Sequence, residues 1–244
     1  MRKSAQPATI LKPLGDQAIL AYLPDEPAAL AFSAGVRAAA FPWLVDAVPA
    51  YASVGIYFDP ARTNLNAVRE ALSGIKPVAP DSRAGRSHVI PCCYEMQLDL
   101  ARVAEHTGLT VDQVIQEHTA AEYTVYAIGF SPGFPYLGYL PQRLTGVPRL
   151  PTPRLRVEPG SVGLTGRQTG LYPLARPGGW NLIGRTPLEL VNVEDGYFPL
   201  RVGDRVRFQR IDEAEYRRLD GERLPSAISF LVSFQNRGNE NQPV

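Results

Sequence analysis

The chain has 244 residues, enough for one large domain or two small ones. Its hydrophobic fraction of 45% is ordinary for a globular protein, and 25 Lys and Arg against 24 Asp and Glu give a net charge of +1. This balance excludes the strongly basic surface of a protein whose main partner is nucleic acid or an anionic membrane. We find no apolar run of about 20 residues and no signal peptide, so we expect a cytoplasmic protein without a membrane span.

The first third of the sequence alternates between strand and helix patterns. Five segments carry them: strands at 18–23, 44–48 and 54–58, and helices at 27–40 and from a cap at Thr63 onward. Strands that alternate with helices in this way are typical of a small α/β sandwich of the ferredoxin-like type. We therefore predict an N-terminal α/β domain over residues 1–80.

A linker and a second domain follow. Residues 76–87, KPVAPDSRAGRS, contain nothing to pack in a core and predict the linker. After it, HVIPCCY predicts a strand in which Cys92 and Cys93 are small buried residues, because adjacent cysteines rarely bridge. Two helices come next, and the second begins at Thr110 with Gln113 three residues later, a capping-box pattern.

From Phe130 to about Phe208 the helical period disappears and Pro or Gly recurs every few residues. A strand at 123–130 precedes this region, and short strand-like runs lie between its Pro and Gly residues: 161–165, 180–183, 188–193 and 205–208. Many short strands separated by turn residues predict a closed barrel or sandwich, which we place at residues 86–225, with a polar helix from Asp212. Residues 226–244 are predicted to be a partly disordered C-terminal extension that includes one strand-like run, 227–234.

The stretch Gly129–Gly133 matches G-x-S-x-G, the pattern around the nucleophilic serine of many hydrolases. Such a serine needs a following helix and an amide on the next residue for the oxyanion hole. Pro132 has no N–H, and Pro135 argues against a helix. No two histidines lie at metal-ligand spacing, and His118 is expected to be a capping or core-edge residue. We therefore predict neither a serine nucleophile at Ser131 nor a metal site, and the catalytic group stays unknown.

Large aromatic residues are frequent in this loop-like region: Phe130, Phe134, Tyr136, Tyr172 and Trp180. Loops that carry so many large apolar groups usually line a pocket or an interface, so we predict that these residues form such a wall. Arginines recur in the same region, and a planar guanidinium suits the binding of a carboxylate or phosphate. Arg154 and Arg185 are the strongest candidates, since neighbouring prolines and glycines hold their backbone.

Three strings carry a family resemblance: HTAAEYTVYAIGFSPGFPYLGYLP, TPRLRVEPGSVGLTGRQTGLYPLARPGGWNLIGRTPLELV and GDRVRF. Through them, residues 15–218 resemble the 5-oxoprolinase B-subunit family, which includes the KipI-type inhibitor of a histidine kinase and proteins labelled allophanate hydrolase subunit 1. Tyr139, Thr165 and Arg167 depart from the family pattern. The resemblance implies an α+β fold, with an N-terminal ferredoxin-like domain followed by a cyclophilin-like β-barrel, and a likeness to the carboxyltransferase portion of urea carboxylase.

The resemblance also implies one part of an enzyme complex rather than a complete enzyme. Together with A and C subunits, the chain would convert 5-oxo-L-proline to L-glutamate with ATP as co-substrate, and it would be inactive alone. Arg154 and Arg185 would bind the substrate carboxylate or a phosphorylated intermediate, and Gln168 would hydrogen-bond to developing negative charge. The alternative that stays open is a regulatory inhibitor that binds a sensor histidine kinase through the same aromatic residues.

Overall fold

The computed structural model describes residues 9–78 and 85–224. The predicted C-terminal extension, with its strand-like run at 227–234, lies outside the described residues. The chain divides into two compact units, Met1–Gly85 and Arg86–Val244, and each is described by itself.

The N-terminal unit is a four-stranded antiparallel sheet with two helices packed against it. Its elements are β1 (Ile10–Pro13), β2 (Ala18–Tyr22), α1 (Glu26–Ala38), β3 (Leu44–Ala50), β4 (Ser53–Phe58) and α2 (Leu65–Ser73). The strand order is β1-β2-β4-β3. This is the order of a ferredoxin-like sheet, except that the outer strand beside β2 comes from the start of the chain instead of the end. One buried core joins the sheet to both helices and includes Ile19, Phe32, Val36, Ile56 and Val68.

Both helices of this unit begin at a side chain that accepts amides of the first turn. Asp25 Oδ1 accepts the Ala28 amide at 2.8 Å, and Asn64 Oδ1 accepts the Asn66 amide at 3.1 Å. The predicted cap at Thr63 is therefore wrong by one residue. Asparagine is at least as good a capping residue as threonine, so the sequence pattern alone did not separate the two neighbours.

The second unit is built on a closed seven-stranded β-barrel. Its elements are β5 (Ser87–Cys93), α3 (Leu100–Thr107), α4 (Val111–Ala120), β6 (Glu122–Ile128), β7 (Pro135–Gly138), a 3₁₀ turn (Gln142–Leu144), β8 (Arg154–Val157), β9 (Ser161–Thr165), β10 (Gln168–Leu171), β11 (Arg176–Gly178), β12 (Asn181–Arg185), β13 (Arg205–Ile211) and α5 (Glu213–Arg218). Around the barrel the order is β10-β7-β6-β13-β5-β12-β9, and β10 pairs with β9 to close it. The β5–β13 pair is parallel and the other barrel pairs are antiparallel. Strands β8 and β11 form a separate two-stranded ribbon.

The predicted α+β fold with a cyclophilin-like barrel is confirmed. The barrel interior is one apolar cluster that includes Leu137, Leu164 and Leu171, and α3 and α4 add buried faces to it. The predicted capping box of α4 is present: the Gln113 amide donates to Thr110 Oγ1 at 3.2 Å, and Gln113 Oε1 accepts the Thr110 amide at 2.9 Å.

Residues 188–193, predicted to be a strand, are not one. Glu189 and Asn192 make only isolated bridges outside the named strands. The run is apolar because Leu188 and Leu190 are buried in the barrel core, and not because the segment pairs with the barrel wall. A short apolar run indicates burial, but it does not by itself indicate strand pairing.

His118, predicted at the edge of the core, is fully buried in it. Its Nδ1 lies 2.7 Å from the Tyr94 hydroxyl, and its Nε2 lies 3.0 Å from Thr169 Oγ1. Thr169 uses its one proton to donate to the Gly163 carbonyl at 3.0 Å, so Nε2 carries a hydrogen and donates, and Tyr94 donates to Nδ1. Burial lowers the pKa of His118 to about 3, so the ring is neutral at neutral pH.

Candidate functional site

The G-x-S-x-G stretch is the loop of a β-hairpin that joins β6 to β7. The Gly129 amide donates to the Phe134 carbonyl at 3.1 Å, and the Ser131 amide donates to the Gly129 carbonyl at 2.8 Å. A strand, and no helix, follows the loop, and Ser131 Oγ is buried with no hydrogen-bond partner among the described residues. This is not the strand–turn–helix geometry of a nucleophile elbow.

Phe130, at the tip of this hairpin, has a strained backbone conformation. Its φ is +67°, and the hydrogen bond from Ser131 to Gly129 closes a γ-turn around it. For a residue with a Cβ, this left-handed region costs roughly 1–2 kcal/mol. Phe130 is 59% exposed, so burial of the residue does not offset that cost. Strained residues of this kind cluster at functional sites, which makes Phe130 a candidate for contact with a ligand or partner.

The structure brings together all five aromatic residues that were predicted to form a wall. Phe134 is at their centre, and its ring centroid lies 5.3 Å from Phe130, 5.0 Å from Tyr136, 5.1 Å from Tyr172 and 5.5 Å from Trp180. The rings meet edge to face, which is a favoured arrangement of aromatic pairs. We call these five residues the aromatic cluster. Phe134, Tyr172 and Trp180 are buried, whereas Phe130 is exposed and Tyr136 is half-buried.

The aromatic cluster lies between the outer surface of the barrel and the β8–β11 ribbon, and two glycines make room for it. A Cβ at Gly170 of β10 would lie 3.0 Å from the rings of Phe134 and Trp180. A Cβ at Gly178 of β11 would lie 2.5 Å from the Tyr172 hydroxyl. At both positions the rings contact the backbone directly, so any larger residue would push them away.

Arg154 is joined to this region through the ribbon. It lies opposite Gly178, the glycine that contacts Tyr172. Its Nη2 donates to Asp99 Oδ1 at 2.7 Å, and the Leu182 amide donates to Asp99 Oδ2 at 2.7 Å. Asp99 was not found by sequence reasoning. The one sequence feature that marks Asp99 is its position at the start of α3, which suggests a helix cap. Its side chain makes no capping bond and reaches β12 instead.

Burial and nearby arginines shift the pKa values of two tyrosines of the cluster in opposite directions. Burial raises the pKa of Tyr136, and the charge of Arg149 partly opposes this effect. Burial also raises the pKa of Tyr172, against the opposing effects of the Trp180 amide, Arg149 and Arg154. Both phenols therefore stay protonated at neutral pH and can donate hydrogen bonds.

Gln168 and Arg185 occupy different places relative to the cluster. Gln168 is two residues from Gly170 on β10, so its side chain lies on the same outer face as the aromatic rings. Arg185 is at the far end of β12, where its Nε donates to the Pro159 carbonyl at 3.0 Å. The structure thus gives Arg154 and Arg185 separate partners, and it does not join Arg185 to the aromatic cluster.

The part of the chain that the structure describes contains neither a metal centre nor a membrane-spanning helix. Within residues 9–78 and 85–224, no group of three or more His, Cys, Asp or Glu is placed to hold a metal ion. In the same ranges, no helix combines the length and the apolar character needed to cross a membrane. Cys92 and Cys93 are free, buried thiols of β5, as predicted.

Known proteins resemble this chain in sequence. The family described as carboxyltransferase domain, subdomain C and D, matches residues 9–197. The 5-oxoprolinase B subunit of Bacillus subtilis strain 168 is 40% identical over 194 residues, which cover 72% of this chain and 79% of the relative. The chain belongs to the 5-oxoprolinase B-subunit family. Family members from Escherichia coli O157:H7 and Haemophilus influenzae are 56% and 47% identical, over 50% and 59% of their own lengths.

Solved structures share the fold of this family member. The crystal structure of TTHA0988 superposes with a TM-score of 0.71 at 36% identity. The superposition covers 81% of this chain but only 40% of the longer TTHA0988 chain. The urea carboxylase of Kluyveromyces lactis superposes with a TM-score of 0.68 at 20% identity, over 89% of this chain and 23% of that protein. The second likeness shows a common fold alone.

Proposed function

We propose that this chain is the B subunit of an ATP-dependent 5-oxoprolinase that acts with A and C subunits to convert 5-oxo-L-proline to L-glutamate. The observation that carries the proposal is the 40% identity to a protein of that name over 79% of its length. The proposal includes a cytoplasmic location and ATP as a co-substrate of the complex. The kinase-inhibitor alternative is not favoured, because three curated relatives carry the name of the enzyme component.

The aromatic cluster supports a site for a small cyclic carboxylic acid. The exposed ring of Phe130 and the half-buried ring of Tyr136 offer an apolar surface for the lactam ring, and burial keeps the phenols of Tyr136 and Tyr172 protonated. In this proposal Arg154 lies near the substrate carboxylate, and Gln168 donates to negative charge that develops on the ring carbonyl. Arg185 lies at the end of β12, apart from the aromatic cluster. It therefore stays a predicted contact for a phosphorylated intermediate.

The catalytic base is proposed to come from another component of the complex. Near the aromatic cluster, the carboxylate of Asp99 is already engaged by Arg154 and the Leu182 amide. The phenols of Tyr136 and Tyr172 have raised pKa values, so they are poor bases at neutral pH. His118 is enclosed in the barrel core. The chain alone is therefore expected to be inactive.

The test is reconstitution of the complex. The purified chain would be combined with its candidate A and C subunits, and 5-oxoproline-dependent ATP hydrolysis and glutamate formation would be measured together. We expect turnover only when all three proteins are present, and reduced turnover for Gln168→Ala and Arg185→Ala. Arg62→Ala, an exposed arginine of the N-terminal unit, is the matched control. Full turnover without this chain would refute the proposed function.

A further inference from the structure

Arg149 lies beside the aromatic cluster, close enough for its charge to act on Tyr136 and Tyr172. The Leu150 amide donates to the Gly179 carbonyl at 2.7 Å, which places Arg149 against the segment that leads into Trp180. Arg149 is exposed, and within residues 9–78 and 85–224 its side chain has no hydrogen-bond or ion-pair partner. Its donors are therefore available to a ligand.

The nearby arginines of the ribbon differ in this respect. Arg154 is held by Asp99 at 2.7 Å, and Arg156 is held by Glu158 at 2.6 Å. An arginine that already pairs with a carboxylate has part of its charge neutralised and part of its donor fork occupied. Of these three arginines, Arg149 is the one whose guanidinium N–H donors are all available to a ligand.

The position of Arg149 also fits the phenols of the cluster. Its charge acts on both Tyr136 and Tyr172. The ring centroids of Tyr136 and Trp180 lie 5.9 Å apart, and Trp180 is buried whereas Tyr136 is half-buried, so the part of this pair that a ligand can reach is the ring of Tyr136. A guanidinium without a partner in the described residues, beside an accessible aromatic ring, suits a small molecule with a carboxylate on a flat ring.

We propose that Arg149 is the specificity-determining residue that binds the carboxylate of a small cyclic carboxylic acid, whose ring rests on Tyr136. The inference rests on the proposed function for the choice of 5-oxo-L-proline as that acid. It assigns to Arg149 the carboxylate contact for which the sequence offered Arg154 and Arg185, and it replaces Arg154 in that role in the proposed function. Arg154 then acts as a positioning residue, because its pair with Asp99 holds the ribbon against the cluster.

The test is a binding titration of the full chain with two lactams, 5-oxo-L-proline and 2-pyrrolidinone, which has the same ring without the carboxylate. We expect the wild-type chain to bind the acid at least 10-fold more tightly than the neutral lactam. Arg149→Ala should weaken binding of the acid about 10- to 100-fold and leave 2-pyrrolidinone unchanged, because one charge-assisted contact is lost. Arg149→Lys should retain part of the preference.

Arg176→Ala is the matched control, since Arg176 is an exposed arginine of the neighbouring ribbon whose one hydrogen bond within the described residues is to the carbonyl of Ala175. It should bind both lactams as the wild type does. A wild-type chain without preference for the acid, or an Arg149→Ala variant that keeps the preference, would overturn the inference. The proposed function would fail in a different experiment. The reconstituted complex would then show no 5-oxoproline-dependent ATP hydrolysis, while the titration would still show the preference for the acid.

Discussion

Arg154 and Asp99 form an ion pair, 2.7 Å long, that ties the β8–β11 ribbon to the start of α3. The second carboxylate oxygen of Asp99 accepts the Leu182 amide, so the pair also reaches β12 of the barrel. The Asp99 side chain is 8% exposed and that of Arg154 is 26% exposed. Removal of the arginine would leave a nearly buried carboxylate without its countercharge.

We predict that Arg154→Ala lowers the free energy of unfolding by about 2–3 kcal/mol, less than the full cost of breaking a buried pair because Arg154 is partly exposed. Urea denaturation of the wild type, Arg154→Ala, Asp99→Asn and the double variant would measure the coupling. Additive losses would show that the pair contributes little. The stability loss also has to be measured before any fall in turnover of Arg154→Ala is attributed to substrate binding.

Gly170 is predicted to tolerate no side chain. A methyl group there would lie within about 3 Å of the Phe134 and Trp180 rings and 2.9 Å from the Pro135 carbonyl, so Gly170→Ala should cost about 1–3 kcal/mol. Gly129→Ala is the matched control in the hairpin, since its nearest contact, at 3.9 Å to Tyr136, is ordinary. Thermal unfolding and the near-ultraviolet circular dichroism of the aromatic rings would be compared. Equal losses in both variants would contradict the close packing.

Phe130 is predicted to matter for function and not for stability. Replacement by glycine removes the strain at φ +67° but also removes the ring contacts with Phe134 and Tyr172 and raises the entropy of the unfolded chain, so the stability of Phe130→Gly should lie within about 1 kcal/mol of the wild type. The same variant should lower turnover of the reconstituted complex. Leu155→Ala, at a residue that is 92% exposed, controls for the loss of an exposed apolar group. A destabilised Phe130→Gly with normal turnover would reverse this assignment.

Ser131→Ala is predicted to keep both stability and activity. Its Oγ is buried without a partner among the described residues, so its removal should leave the free energy of unfolding unchanged or raise it by about 1 kcal/mol. Thr169→Val removes a buried hydroxyl that does bond, to Gly163 and His118, and should destabilise. Loss of turnover in an assembled Ser131→Ala complex would show that the hydroxyl acts in the reaction.

His118 is predicted to make the barrel sensitive to acid. Its pKa falls from an ordinary 6.5 to about 3 on folding, so between these values the unfolded chain binds a proton that the folded chain does not. This contribution to stability is complete above pH 6.5 and is lost as the pH falls, by up to about 1.4 kcal/mol per unit. Urea denaturation at pH 7, 6 and 5 should give a shallower pH slope for His118→Asn.

An identical pH slope for the two proteins would contradict this prediction. The other two histidines and all carboxylates are common to both, so the difference between the slopes isolates His118. If His118→Asn does not fold, titration of the His118 ring by NMR in the wild type gives the same information. A folded-state pKa near 6.5 would then be the contradicting result.

The sequence allowed the elements with a strong periodic or capping signal to be predicted, and the contacts between elements much less well. The capping box at Thr110 was found because it is local, whereas the partners of His118 are Tyr94 and Thr169, which are distant along the chain. Strands β8 and β11 escaped a clear prediction because each is very short and forms only with the other as its partner. The frequency of aromatic residues predicted the aromatic cluster. The register of β10, which the sequence does not show, is what places Gln168 on the same face of the barrel as the cluster.

The parallel pairing of β5 with β13 has a consequence for the order of folding. The pair joins the first and last strands of the barrel, and the linked residues Arg86 and Asp204 are 118 positions apart. The four strands of the N-terminal unit are all complete by Phe58. During synthesis, the N-terminal sheet can therefore form while the barrel is still open, and the barrel can close only once β13 has left the ribosome.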